Sequence, residues 1–191
     1  KLFHFGTLSM THEEVRKATK KAIQIAEEAG DIISFDPNLR EPLWNSLGEA
    51  KEQILYGLSH CHILKISDNE IQWLTGQEDY TDGVKWILER YQIPLILVSM
   101  GKEGSRAYYG GKMVEVKPFI QKNTIETTGA GDTFCGCVLH YICEHGLDNL
   151  TEENLFEMLQ FANAAASIIT TRKGALRVMP EEKEIAGLLG K

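Results

Sequence analysis

A carboxylate beside a turn of small residues, just where a helix begins, has the parts needed to move a phosphoryl group. The stretch Glu126-Thr127-Thr128-Gly129-Ala130-Gly131-Asp132-Thr133-Phe134 is such a place. Two glycines flank one alanine, so no side-chain bulk blocks approach to the backbone. The residues that follow, 133–145, carry apolar positions at Phe134, Val138, Tyr141 and Ile142, as a helix would. If Gly129, Ala130 and Gly131 open that helix, its free N–H groups face outward at the positive end of the dipole and make an anion site. Asp132 then stands next to that site, where a carboxylate can take a proton from an attacking hydroxyl. An anion cradle with an adjacent base is what phosphoryl transfer to an alcohol requires. A second reading stands beside this one: a glycine turn followed by a plain cap, with Asp and Thr in the first turn for dipole reasons alone.

Other polar clusters punctuate the chain. Asp36-Pro37-Asn38-Leu39-Arg40 is one, residues 65–70 (Lys65, Ser67 and Glu70 among them) a second, and residues 99–105 (Ser99, Gly101, Gly104) a third. Arg40 either pairs with Glu41 or another surface acid, or presents its planar fork to a phosphate or sugar hydroxyl. Glu70 is either a first-turn acid or a carboxylate steering hydrated Mg2+. Gly101 and Gly104 either shape a turn or let a nucleotide lie against the backbone. Asn163 falls in mid-helix, where its propensity is poor, which favours a ligand contact. His4, His60 and His62 lie in or near strands and read as core or edge residues, and Trp44, Trp73 and Trp86 as packing. Cys61, Cys135, Cys137 and Cys143 show no zinc spacing and read as small buried thiols in a reducing cytosol.

The elements that must position these groups follow from periodicity and punctuation. Strands are expected over 2–5, 32–35, 62–66 and 94–99. The last is almost wholly apolar, as a strand covered on both faces should be. Helices are expected from a Thr11 cap to about Ala29, over 46–58, from a cap at Ser67 to Thr75, over 82–91, over 130–145, over 152–170, and from Pro180 to about Leu189. The first would bury Val15, Ala18, Ala22, Ile23 and Ala26. Two short runs, 105–109 and 112–116 around Gly110-Gly111, signal a hairpin. Alternation of strand and helix through the first half implies a mostly parallel sheet with helices on both faces. Ligands then gather at the carboxyl ends of the strands, where the polar clusters fall. No repeat or linker divides the chain, so one domain is expected over 1–191.

The formal charge is -7 and the pI about 5.4, which favours neither nucleic acid nor an anionic membrane as partner. No apolar run approaches the length of a membrane span, and no signal peptide opens the chain; a cytoplasmic protein is expected. The chain starts inside a strand, at Lys1-Leu2-Phe3-His4-Phe5-Gly6, and so reads as part of something longer.

Taken together the motifs resemble the PfkB, or ribokinase-like, family of sugar kinases. Thr127 to Phe134 resembles the family's second signature. Phe161-Ala162-Asn163-Ala164-Ala165-Ala166, with Thr170-Thr171-Arg172-Lys173-Gly174-Ala175, resembles its adenine-side helix and loop. Ser99-Met100-Gly101-Lys102-Glu103-Gly104 is similar to its nucleotide-binding turn. Phe35-Asp36-Pro37-Asn38-Leu39-Arg40, with Leu43-Trp44, resembles the fructokinase and 2-keto-3-deoxygluconate kinase branches. The resemblance implies a three-layer α/β/α fold. It makes Asp132 the base on the sugar's primary hydroxyl and Gly129, Ala130 and Gly131 the anion hole. Ser99, Gly101, Gly104 and Asn163 would hold ATP, with Lys65 and Ser67 near its phosphates. Glu70 would be tied to Mg2+, and Arg40 would face the phosphate or substrate. Many members also bind a monovalent cation beside the anion hole, K+ being the candidate, for which 126–128 and 172–174 are the matching loops. Two positions depart from the pattern: Ser67 stands where Asn is usual and Glu126 where Asp is usual. The family's amino-terminal half, with its sugar site and small β-sheet lid, has no counterpart here. The expectation is therefore the carboxy-terminal, ATP-binding part of a sugar kinase, with fructose as the first substrate and ketodeoxygluconate, ribose or a nucleoside as alternatives. The whole protein would be a homodimer, and the isolated piece would be inactive, or a nucleotide-binding module without catalysis.

Overall fold

The computed structural model describes residues 1–190. In chain order it contains β1 (Leu2–Gly6), α1 (Glu13–Ala29), β2 (Ile32–Asp36), α2 (Leu47–Leu58), β3 (Ile63–Ser67), α3 (Asp68–Thr75), α4 (Tyr80–Leu88), β4 (Leu95–Ser99), β5 (Ser105–Tyr109), β6 (Lys112–Val116), α5 (Ala130–His145), α6 (Glu152–Ile169) and α7 (Glu182–Leu189). Short 3-10 turns fall at Thr7–Met10, Glu41–Leu43, Gly101–Glu103 and Ala175–Val178. The six strands form one mostly parallel sheet in the order β1-β2-β3-β4-β5-β6. Two compact units divide the chain: Lys1–Val98 with Tyr108–Gly110, and Ser99–Ala107 with the residues from Gly111 onward.

In the first unit β1, β2 and β3 run parallel, with Leu2 opposite Ile32, Gly6 opposite Asp36 and Ser34 opposite Ile63. A side chain extends that pairing, since His62 Nδ1 accepts the Ile33 N–H at 3.0 Å. Parallel neighbours need a crossover, and right-handed crossovers put α1 and α2 on one face. Residues 33–36, 63–66 and 95–98 are buried without a break, so these strands are covered on both faces, as their near-continuous apolar runs require. Across the helix layer, Arg16 pairs with Glu49, Lys20 lies 4.1 Å over the Tyr56 ring, and Glu27 meets His60 at 2.6 Å. The partners advance in the same direction along both helices, so α1 and α2 are parallel.

Between β5 and β6, Gly110 and Gly111 take φ of +56° and +78°, the two left-handed residues that a two-residue hairpin turn demands. In the second unit the helices make the core. The long helices α5 and α6 pack on each other. Helix α6 also lies against β6 and α7. Ala164, Ala165 and Ile185 form a buried cluster there, flanked by Phe119, Phe161, Ile168 and Leu189. Small residues at 162, 164 and 165 let the helices approach closely.

Some element ends differ from expectation. The cap of α1 is His12, without a side-chain bond, because the Thr11 hydroxyl is spent on Leu8 O at 3.2 Å. The buried stripe of α1 is Thr19, Ile23 and Ala26; Val15 is 49% exposed and Ala18 is also exposed, since the helix meets the sheet along a narrow strip. Asp79 caps α4, its Oδ1 accepting from Thr81 N and Asp82 N, so that helix begins at Tyr80 and ends at Leu88. Helix α7 begins at Glu182, because Glu184 reaches back to the Glu181 N–H at 2.8 Å and fixes the cap after Pro180. Among the described residues no helix is long and apolar enough to cross a membrane.

Gly57 shows how tightly α2 meets the sheet. A Cβ there would fall 2.5 Å from the Phe35 ring, which is itself fully buried. Gly57→Ala is expected to cost about 1–3 kcal/mol through overpacking, read from the urea midpoint. An unchanged midpoint would mean that the Phe35 ring can move aside freely.

Candidate active site

The second unit carries the glycine turn. Gly129 is the N-cap of α5 with φ +80° and ψ −3°, a conformation that glycine adopts without strain. The Ala130 N–H is turned back onto Thr127 O at 3.1 Å, and the first helical bond runs from Thr133 N to Gly129 O at 2.8 Å. The amides of Gly131 and Asp132 therefore head a 16-residue helix without an intrahelical acceptor. Asp132 is exposed on the first turn, while Thr133, Phe134 and Cys135 are buried and anchor it. The Thr133 hydroxyl lies 3.2 Å from the Met179 sulfur. The absent Cβ of Gly129 would stand 3.5 Å from the Ala175 backbone. An anion would find two open amides here, the positive end of a helix dipole, and a free carboxylate one residue on.

The remaining positions of this unit are tied into the backbone. Ser99 ends β4 and is half-buried. Gly101 has φ +52° and open space where a side chain would stand. At Gly104, with φ +103°, a Cβ would fall 2.2 Å from Val116 O, so the glycine is demanded by a backbone crossing. Asn163 is buried: its carbonyl accepts from the Ser105 hydroxyl at 2.9 Å, and its amide donates to Val116 O and Lys117 O at 3.2 and 3.3 Å. A mid-helix Asn thus fastens α6 to both strands of the hairpin. The loops at 126–128 and 172–174 do come together. Ile125 N and Glu126 N both donate to Thr170 O, and Glu126 Oε1 accepts the Gly174 N–H at 3.1 Å.

In the first unit the residues after β2 and β3 form one network. Asp36 and Lys65 make a buried ion pair at 2.9 Å. Asp36 Oδ1 also accepts from Asn38 N at 3.1 Å. Ser67 is the N-cap of α3, in a capping box with Glu70. Glu70 Oε2 accepts from Ser67 N and Ser67 Oγ at 2.8 and 2.7 Å, and Oε1 from Leu39 N at 2.7 Å. So Glu70 does the first-turn work expected of an acid there, and it also holds the loop after β2. Arg40 is exposed, donates to its neighbour's carbonyl Leu39 O at 3.2 Å, and has no carboxylate within ion-pair reach among the described residues. Lys65 lies buried against Asp36, at 6% exposure.

Burial raises the Asp36 carboxyl to about 6; Lys65 opposes the rise and the nearby Glu70 adds to it. Sequence reading gave Asp36 no chemical role. The signal was present, because a lysine inside the apolar strand 63–66 needs a buried counter-charge. Among the described residues the cysteines are free thiols. Cys61 and Cys135 are buried, burial pushes the Cys137 thiol to about 11, and Cys143 is exposed, contrary to the expectation that all four are buried.

Two outcomes follow from the buried pair. Lys65→Met leaves Asp36 without its partner and is expected to cost about 3–5 kcal/mol in denaturant unfolding. The second concerns pH. Because the folded value of Asp36 lies above its ordinary 3.8, folding takes up a proton between about pH 4 and 6. This group's contribution is therefore complete at the acid end and is lost as pH rises through 6. Asp36→Asn should remove that slope, so the stability difference between wild type and variant should shift against the wild type from pH 4 to 6. Parallel curves would mean that Asp36 titrates normally.

A family model described as pfkB family carbohydrate kinase matches residues 1–182. The chain is 40% identical over 189 residues to Probable fructokinase-4 of Arabidopsis thaliana, covering 99% of this chain and 58% of that one. It is 40% identical over 190 residues to Fructokinase-1 of Zea mays, covering 100% of this chain and 58% of that one. A crystal structure of a fructokinase double mutant from Vibrio cholerae O395, with fructose, ADP and potassium bound, superposes with a TM-score of 0.89 at 28% identity, over 99% of this chain and 60% of that one. The chain thus spans 58% of the length of the two plant relatives.

Proposed function

Since the chain belongs to the pfkB family of carbohydrate kinases, we propose that the whole protein is a fructokinase, passing the γ-phosphoryl group of MgATP to a primary hydroxyl of fructose. The observation that carries this is the glycine turn, with its open amides at Gly131 and Asp132 and an exposed carboxylate on the first turn of α5. The relatives reported above, named fructokinase or probable fructokinase, support fructose within the family. On this reading Asp132 accepts the hydroxyl proton as the sugar oxygen attacks phosphorus. The γ-phosphoryl oxygens rest on the helix-start amides, and the bond to the ADP oxygen breaks as the new P–O bond forms. Gly129 contributes the left-handed turn that opens those amides, and Ala130 the bond to Thr127 that closes it.

Magnesium fits as a hydrated ion held chiefly by ATP. Among the described residues no group of three acidic, His or Cys side chains could cage a metal. Glu70 has three of its about four lone-pair sites filled, which leaves one for a metal-bound water. When bound, the ion neutralises charge on the transferring phosphates. Potassium, which the Vibrio fructokinase structure holds, would take oxygens from the joined loops 126–128 and 172–174. Ser99, Gly101 and Gly104 are assigned to ATP, with Asn163 holding the hairpin from beneath. Ser67 and Lys65 are assigned to the phosphate side through the network they keep in place. Arg40 is the one exposed guanidinium of the loop after β2 and is assigned to phosphate or sugar. Residues outside this chain would supply most of the sugar site, and the 191-residue piece alone is expected to be inert.

ATP-dependent phosphorylation of a sugar panel led by fructose, by the full-length protein and by this piece, tests the reading. Fructose should lead, and only the full-length protein should act. In that protein Asp132→Asn should lower kcat by roughly 10²–10⁴-fold, the cost of losing a general base. Asp132 is exposed, so the fold should survive the change. Near-normal turnover would remove Asp132 from the base role, and absence of transfer to any sugar would overturn the assignment.

A further inference from the structure

The residue after Gly174 is strained. Ala175 has φ +32°, a left-handed value that is uncommon outside glycine and persists only where the surroundings dictate it. Several bonds converge on its segment. Arg172 Nη1 donates to Val178 O at 3.2 Å, across the base of the turn, and Arg172 Nη2 pairs with Glu184 on α7. Gly174 N–H goes to Glu126, and Arg177 N–H to Gly174 O at 3.1 Å. Glu184 is itself fixed by the Glu181 N–H at 2.8 Å, and α7 is anchored by buried Ile185. The held segment borders the glycine turn at one point and meets the first turn of α5 at another. The Ala175 backbone lies 3.5 Å from where a Gly129 Cβ would be, and the Met179 sulfur 3.2 Å from the Thr133 hydroxyl.

We propose that Arg172 is a positioning residue for the glycine turn: it clamps the 172–179 segment to α7, and through Ala175 and Met179 that segment holds Gly129 and Thr133 in the shape the anion cradle needs. This rests on the reading of that cradle as the phosphoryl site. Arg172 touches no reacting atom; it acts through the Met179–Thr133 contact and the close approach of Ala175 to Gly129, at the foot of the helix that carries the base. A guanidinium suits the task because its planar fork reaches a carbonyl and a carboxylate at once, which a lysine ammonium does less well. The clamp extends the active machinery to α7, an element that carries none of the family signature.

The test is Arg172→Ala, Glu184→Ala and the double variant in the full-length protein, with Arg172→Lys as the milder change should the alanine variant not fold. Amide hydrogen exchange at Ile125, Glu126 and Gly174 should accelerate in each single variant, while exchange in the α6 core stays at wild-type rates. In sugar phosphorylation, kcat should fall roughly 10- to 100-fold, as a misplaced reacting group costs, with KM for the sugar unchanged. The double variant should lose less than the product of the two single losses, because the pair is shared while Arg172 keeps Val178 O and Glu184 the Glu181 N–H as partners of their own. Wild-type exchange at the three amides, or losses that multiply in the double variant, would overturn the proposal. If the wild type phosphorylates no sugar, the reading of function fails, and the exchange pattern still decides whether Arg172 holds the loop.

Discussion

Parallel strands can lie side by side only when the chain between them crosses back over the sheet, and the loops in the first unit are arranged by that constraint. Each crossover returns the chain to the same starting edge, so β1, β2 and β3 all finish at the opposite one. Segments far apart in sequence are thereby brought within hydrogen-bonding distance. Thr7 N–H and its hydroxyl both donate to Pro37 O. Asp36 at the end of β2 reaches Lys65 within β3, and Leu39 N–H reaches Glu70 one turn into α3. The edge is a small network of charges and amides.

Three carboxylates show how position sets chemistry. Asp36 is buried with an ammonium and titrates high; its free energy goes into holding a loop. Glu70 is mostly occupied by backbone and hydroxyl donors and is held in a capping box. Asp132 alone stands exposed on a helix start, with no side-chain partner to satisfy it among the described residues. A proton acceptor must be open to its substrate, and of the three only Asp132 is exposed. The same residue type can be scaffold or reagent, and burial decides which.

Much of this was legible in the sequence, for local reasons. Gly30, Gly76 and Gly146 each close a helix in left-handed or otherwise glycine-permitted backbone, so helix ends could be read from composition. The apolar runs at 63–66 and 95–98 announced buried strands, and Gly110-Gly111 a hairpin. The glycine turn before α5 was legible because its backbone needs are specific. Partners fixed by tertiary structure were not legible. Nothing near Asn163 in sequence says that it binds Ser105 and Val116, some fifty residues upstream, and the apolar positions Val15 and Ala18 gave no sign that they face solvent. Lys65 was placed near the ATP phosphates by the family resemblance alone; only the geometry of β2 beside β3 reveals its partner.

The strand order of the first unit bears on how the chain is made. Since β1, β2, β3 and β4 lie in the sheet as they lie in the sequence, each strand finds its neighbour already synthesised when it leaves the ribosome. No strand here has to hold a pairing edge open for one made much later, the situation in which wrong partners are most easily captured. The helix that follows each of β1 and β2 packs on a face of the sheet and leaves the newest edge open for the next strand. A sheet laid down in this order grows from one side, like courses of brick, and at each stage has a single unfinished edge on the growing side.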